Sequence, residues 1–283
     1  MKAAVLGSPV RHSLSPVPHR AAYAALGLTG WTYEAIDCDA ARLAEQLRDC
    51  GPDWAGLSLT MPLKQAVLPL LDSAEPLVTQ VDGANTVVFT DGARRGFNTD
   101  VPGIMLALTE AGAGLARPAV ILGAGATARA ALAALHGLGA REAIVAVRDP
   151  ARTAGMSAAA GRLGMTITLR PFTEPGAPRG YLLISTVPAG AADSFAQRLS
   201  RAGPAPAAVL DVVYHPRPTR LDVAAGQSGA TVIGGFEMLL HQAARQVELM
   251  TGRAAPTAVM RTAGLAEIER RGAGPGRAAA GAG

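Results

Sequence analysis

Lysine is nearly missing from this chain: Lys2 and Lys64 stand against 24 arginines. Asparagine is as rare, with only Asn85 and Asn98, each followed by a threonine. Aromatic residues make up 4% of the 283 positions while hydrophobic residues reach 49%, so a sizeable core must be built from Ala, Val, Leu and Ile. Cys38 and Cys50 are too few for a disulfide framework or a metal site of their own. No apolar run is long enough to span a bilayer. The opening Met1 to Leu6 run is cut short by Gly7 and Pro9, which argues against a signal peptide. The net charge of +4 is spread along the chain without aromatic interleaving, so no nucleic-acid footprint is visible, and the mild excess suits the handling of anions. The five histidines show no ligand spacing, so no metal is expected. The expectation is a soluble, cytoplasmic protein, monomer or homodimer, with small-molecule partners.

Against this background the residues that remain gain meaning. Arginine stays protonated, whereas lysine can give up a proton when its surroundings demand it. A chain that uses arginine almost everywhere but keeps Lys64 has a reason to do so, unless Lys64 is a chance survivor of the composition.

The pattern along the chain is α/β. The first hundred residues mix short strands (Ala3 to Leu6, Trp31 to Ile36, Ala55 to Thr60) with helices (Pro16 to Leu26, Ala40 to Cys50, one opening at Pro62). Thr86 to Thr90 and Arg94 to Asn98 flank Asp91-Gly92, a hairpin signal. From Ala119 the strands become continuous apolar runs, as expected when both faces are covered. They recur at Ala119 to Leu122, Ala143 to Val147, Thr166 to Leu169, Leu182 to Ser185, Val209 to Val213 and Thr231 to Ile233, separated by helices or loops. That alternation predicts a doubly wound parallel sheet. Glu237 to Thr251 and Ala258 to Arg270 read as helices, followed by a Gly/Ala/Pro-rich tail.

Five stretches carry chemistry. Gly123-Ala124-Gly125-Ala126-Thr127-Ala128 fits the dinucleotide-binding turn, because it follows a strand and opens a helix whose free N–H groups can meet a pyrophosphate. The alternative is a glycine-rich turn that binds nothing. The next strand ends at Val147 and is followed by Arg148, Asp149 and Arg152. Arginine favours the 2′-phosphate of NADP and the aspartate muddies the choice; as a plainer reading both arginines are solvated loop residues. Ser13 and Ser15, two apart at a strand-to-helix turn, can aim hydroxyls at one anion, although Ser15 could act only as a helix cap. Ser58 and Thr60 share a strand face, and Lys64 falls in the first turn of the next helix, where the macrodipole disfavours a cation. Gly96-Phe97-Asn98-Thr99-Asp100 ends a strand, with Asp100 at a helix start, as a reactive carboxylate or a simple N-cap.

Taken in order, these motifs resemble those of the shikimate dehydrogenase family over nearly the whole chain, the tail excepted. The family's serine-pair segment is here Gly7 to Pro16. Its N-V-T-x-P-x-K segment corresponds to Ser58 to Lys64, and its N-T and G-x-N-T-D motifs to Asn85-Thr86 and Gly96 to Asp100. Further matches are Asp211 to Tyr214, Pro218 to Leu221, Gly235 to Met238 and Gln242-Ala243-Ala244. The resemblance implies an N-terminal α/β substrate domain completed by C-terminal helices (1–103 plus 236–270) and a Rossmann-type domain (104–235); by composition, 271–283 reads as a flexible tail. It implies NADPH-dependent reduction of 3-dehydroshikimate, with NAD(H) as the alternative cofactor. Lys64 and Asp100 would be the catalytic pair. Ser13, Ser15 and Tyr214 would hold the substrate carboxylate, and Thr60, Asn85 and Gln242 the ring hydroxyls. Gly123, Ala124, Gly125, Ala126, Thr127, Arg148, Arg152, Thr186, Val212, Gly235 and Met238 would line the cofactor side. Ser58 departs from the family's asparagine, Ala126 from a common glycine and Val147 from a polar residue. The rival readings are an NAD-linked quinate/shikimate dehydrogenase and a non-catalytic binding or regulatory relative.

Overall fold

A computed structural model describes residues 1–113, 118–149, 151, 153–174, 176–201 and 204–272. The chain opens with β1 (Lys2–Gly7), α1 (Pro16–Ala25), β2 (Thr32–Asp37), α2 (Leu43–Arg48) and β3 (Trp54–Leu59). It continues with α3 (Leu63–Ala66), β4 (Ser73–Ala74), α4 (Pro76–Val81), β5 (Thr86–Thr90) and β6 (Ala93–Phe97). The strands form one sheet in the order β2-β1-β3-β5-β6-β4. β2, β1 and β3 run parallel, while the β5–β6 hairpin is antiparallel and turns at Asp91-Gly92, both with positive φ. The hairpin falls where the sequence predicts it; the two-residue β4 carried no sequence signal.

α5 (Asp100–Glu110) leads to the second sheet: β7 (Ala119–Leu122), α6 (Ala126–Gly137), β8 (Glu142–Val147), α7 (Ala154–Leu163), β9 (Thr166–Pro171), β10 (Leu182–Ser185), α8 (Asp193–Arg201), β11 (Ala208–Asp211), α9 (Arg220–Gln227) and β12 (Thr231–Gly234). The order β12-β11-β10-β7-β8-β9 is wholly parallel and reverses direction between β7 and β10, the arrangement of a Rossmann fold. Alternation explains its two cores. Ile121, Ile184 and Leu210 face the cluster shared with α5, α6 and α7, whereas Val120, Leu183 and Val209 face the cluster shared with α8 and α9. Every residue of β7, β10 and β11 is buried.

The chain then returns. α10 (Gly235–Thr251) leaves the second sheet and packs along α5, and α11 (Thr257–Gly272) packs on α1. Leu240, Ala243, Val247 and Met260 from these helices join Ala3, Val5, Tyr33 and Val88 in covering one face of the first sheet; α2, α3 and α4 border the other. α11 reaches Gly272, two residues into the stretch expected to be tail, and Arg271 is anchored there; residues 273–283 lie outside the described residues. Among the described residues, no helix is long and apolar enough to cross a membrane.

Candidate active site

Both sheets point the C-terminal ends of their parallel strands at one cleft of about 280 Å³. From the first sheet, Lys64 enters from α3 and Asp100 from the first residue of α5. Lys64 Nζ donates to Asp100 Oδ2 at 2.5 Å, with the two side chains 14% and 6% exposed. Asp100 is not the helix cap. Asn98 Oδ1 accepts the N–H groups of Asp100 and Val101 at 3.1 and 3.3 Å, which leaves the Asp100 carboxylate to face the cleft. Its other oxygen accepts from Asn85 Nδ2 at 2.8 Å. The Asn85 amide is oriented by the Thr99 backbone N–H, which donates to Oδ1 at 2.7 Å. Gln242 Oε1 lies 3.4 Å from Asn85 Nδ2, and Gln242 Nε2 donates to the carbonyl of Leu239 at 2.9 Å.

Ser13, Ser15, Thr60 and Tyr214 line the same cleft. Ser15 precedes α1, yet its hydroxyl makes no capping bond, so it is not spent on the helix. Burial pushes the Tyr214 hydroxyl up, with the Leu14 backbone and Arg271 pulling the other way, so the phenol is neutral and can donate. Arg271 donates to the carbonyls of His12 and Ser13 at 2.8 and 3.4 Å, fixing the serine loop from α11.

The second sheet supplies the other wall. Gly123 to Gly125 join β7 to α6, which Ala126 and Thr127 open; Arg148 follows β8, Thr186 follows β10, Val212 follows β11, and Gly235 opens α10 after β12. Thr127, Val212, Gly235 and Met238 line the cleft directly; Arg148 is exposed at its strand end. Arg152 lies outside the described residues. Ligands of open α/β sheets bind at this carboxyl edge, where the strand order reverses. The turn fits a dinucleotide. Gly123 has φ +108°, and a Cβ there would meet Thr186 Oγ1 at 2.8 Å; a Cβ on Gly235 would overlap the Val212 carbonyl. Glycine at both positions lets the β7–α6 turn and the start of α10 pack closely against the ends of β10 and β11, the close backbone approach that a dinucleotide-binding turn requires.

Sequence reasoning missed Gln246 and the partners of Ser58. Gln246 lines the cleft one helical turn after Gln242, a spacing that places both on one face of α10. Ser58 accepts from Tyr33 Oη at 2.6 Å and donates to Gln246 Oε1 at 2.8 Å, contacts that bring together three distant segments. Elsewhere, Glu110, Glu237 and His241 converge, but Arg261 donates to both carboxylates and fills the position a cation would take.

A lysine–carboxylate pair can move a proton at an alcohol or carbonyl oxygen, and the opposite wall is shaped for a dinucleotide that moves a hydride. Fold and site together define a dinucleotide-dependent alcohol oxidoreductase. A family model for the shikimate dehydrogenase substrate binding domain matches residues 5–87, and one for the shikimate 5′-dehydrogenase C-terminal domain matches residues 235–263. A shikimate dehydrogenase (NADP(+)) of Thermus thermophilus is 38% identical over 253 residues, 89% of this chain and 93% of the relative. The crystal structure of Mycobacterium tuberculosis shikimate dehydrogenase has a TM-score of 0.84 at 41% identity, covering 94% of this chain and 99% of that one. The crystal structure of a Thermus thermophilus shikimate 5-dehydrogenase in complex with NADP(H) and shikimate gives 0.80 at 35% identity, covering 94% and 99%. The chain belongs to the shikimate dehydrogenase family.

Proposed function

We propose that this protein interconverts 3-dehydroshikimate and shikimate with NADP(H), and that Lys64 and Asp100 are its catalytic pair. The observation that carries this reading is the 2.5 Å contact between Lys64 Nζ and Asp100 Oδ2 in a cleft shared with Ser13, Ser15, Tyr214 and the β7–α6 wall. When bound, NADP(H) supplies the hydride to the ring carbonyl or takes it back from the alcohol. Lys64 donates a proton from Nζ to the oxygen that gains charge in reduction, and receives it in oxidation. Asp100 holds Nζ in place and accepts from a ring hydroxyl. Ser13, Ser15 and the neutral Tyr214 hydroxyl donate to the substrate carboxylate, while Thr60, Asn85 and Gln242 bind ring hydroxyls.

Segments 1–103 and 236–270 act as the substrate-binding unit, and 104–235 as the cofactor unit. Arg148 pairs with the 2′-phosphate of NADP. Asp149 Oδ1 accepts the Ala151 N–H at 3.0 Å, which turns the loop after Arg148. The free thiols of Cys38 and Cys50 fit a reducing, cytoplasmic setting. The protein acts as a monomer or a homodimer.

The test crosses shikimate and quinate with NADP⁺ and NAD⁺ and follows nicotinamide absorbance. Turnover with shikimate and NADP⁺, with little from quinate, is expected. Comparable turnover of quinate with NAD⁺ would move the protein to the quinate-using branch and return Arg148 to the solvent.

A further inference from the structure

A continuous file of hydrogen bonds runs behind the catalytic pair. Tyr33 Oη lies 2.6 Å from Ser58 Oγ, which lies 2.8 Å from Gln246 Oε1. Gln246 Nε2 lies 2.9 Å from Thr86 Oγ1, and Thr86 Oγ1 2.9 Å from Asn85 Oδ1. Asn85 Nδ2 ends the file 2.8 Å from Asp100 Oδ1. Tyr33, Ser58, Thr86, Asn85, Asp100 and Gln246 are all at most 4% exposed.

The direction of every bond is forced by two backbone groups. The Thr99 N–H must donate, so it fixes Oδ1 of Asn85 toward itself and turns Nδ2 to Asp100. The Asn85 carbonyl must accept, so it turns Gln246 Nε2 inward at 3.4 Å and leaves Oε1 facing Ser58. Thr86 then accepts from Gln246 and donates to Asn85, Ser58 donates to Gln246, and Tyr33 has only the role of donor. Each group thus gives its proton toward the carboxylate, and such one-way chains polarise one another. The far end is clamped. The Tyr33 ring stacks on His19 with centroids 3.9 Å apart, and His19 Nδ1 donates to the carbonyl of Ser15 at 2.9 Å.

We infer that Tyr33, Gln246 and Thr86 are positioning residues of the reaction, holding the Asn85 amide against Asp100 and so aiming the carboxylate that holds Lys64. None of the three is needed to touch the reacting atoms. Ser58 links Tyr33 to Gln246, accepting from one and donating to the other. This inference rests on the functional reading above.

The experiment uses the full chain carrying Tyr33→Phe, Thr86→Val or Thr86→Ser. Val keeps the shape of Thr86 and loses the hydroxyl; Ser keeps the hydroxyl and loses a methyl. In shikimate oxidation, kcat should fall about tenfold in Thr86→Val and less in Tyr33→Phe, because a shift of about an ångström at distant support can cost up to ~10²-fold. Thr86→Ser should recover most of the loss. Calorimetric affinity for shikimate alone should change far less than kcat. The two asparagines give a readout that needs no turnover: asparagine-selective ¹⁵N labelling leaves only two side-chain amide pairs, Asn85 and Asn98. Tyr33→Phe and Thr86→Val should move the Asn85 pair, with the Asn98 pair moving less. An unmoved Asn85 pair, an unchanged kcat in both variants, or a Thr86→Ser variant slower than Thr86→Val would overturn the inference alone. A wild-type protein that neither binds nor oxidises shikimate would overturn the functional reading, and this inference with it.

Discussion

Asp100 is held by both Lys64 and Asn85, and substitution within the Lys64–Asp100 pair separates chemistry from binding. Lys64→Arg keeps a cation beside Asp100 but puts a poor proton donor in its place. Asp100→Asn keeps the shape and removes the charge that anchors Nζ. Each should lower kcat by roughly 10²–10⁴-fold with a much smaller change in KM; steady-state kinetics showing only a raised KM would sink the assignment. A second residue links the site to pH. His19 is fully buried, and desolvation lowers its pKa to about 4, partly opposed by its bond to the Ser15 carbonyl. An unfolded imidazole takes up its proton near 6.5, so between these values the unfolded chain carries more protons and stability falls as the pH is lowered. The loss should approach about 3 kcal/mol across that window. Asp72 and Glu267, held near 2 chiefly by Arg94 and by Arg270, stabilise the fold at neutral pH and lose that contribution as the pH falls from about 4.5 toward 2. Denaturant unfolding from pH 7 to 4.5 should show a slope that flattens in His19→Phe, which keeps a ring against Tyr33. Lys64, Asn85 and Asn98 were legible because their residue types are so rare that each occurrence asks for a reason. Tyr33 and Gln246 were not, since their meaning lies in contacts 25 and 188 residues away from Ser58.

At the scale of elements, the start of α5 decides whether Asp100 serves the helix or the cleft. Asn98 caps that helix and ties its own Nδ2 to the Gly83 carbonyl at 2.8 Å. Asn98→Ala should cost about 1–2 kcal/mol of stability, read as a lower urea midpoint. It should also lower kcat, because the Asp100 carboxylate becomes the nearest acceptor for the uncapped N–H groups and is drawn from Lys64. A stability loss with full turnover would show that Asp100 holds its place without Asn98. The strands of the second sheet were readable because burial on both faces leaves an unbroken apolar run, as in Ala119 to Leu122. Helix ends were less so. The sequence predicts a helix from Ala40 to Cys50, but Asp39 Oδ1 accepts the Arg42 N–H at 3.0 Å, a local turn that delays the start of α2 to Leu43. The strand order of the first sheet also escaped the sequence, since register there depends on which apolar faces meet across the chain.

For the molecule as a whole, the question is what keeps the two sheets at a fixed distance, since the cleft draws one wall from each. The connections α5 and α10 form one tie. A second is buried on another side: Arg129 of α6, 3% exposed, donates from Nε to the Val81 carbonyl at 2.7 Å and from Nη2 to the Asp82 carbonyl at 2.9 Å. Arg162 of α7 donates to the Gln80 carbonyl at 2.9 Å. The last carbonyls of α4, which no helical turn can satisfy, are thus satisfied by arginines of the other unit. Arg129→Met keeps a long apolar stem and leaves the buried Val81 carbonyl and the part-buried Asp82 carbonyl unpaired, the buried one at about 1–3 kcal/mol. Both tryptophans, Trp31 and Trp54, lie in the first unit, so fluorescence reports that unit while circular dichroism reports both. In wild type the two transitions should coincide; in Arg129→Met they should separate, because the units no longer unfold as one. Arg129 follows Thr127 by two residues on α6, so loosening it also shifts the cofactor wall relative to Lys64. Affinity for shikimate, which depends mainly on the first unit, should therefore persist while turnover falls. Coincident transitions with unchanged turnover would mean that α5 and α10 alone set the spacing of the cleft.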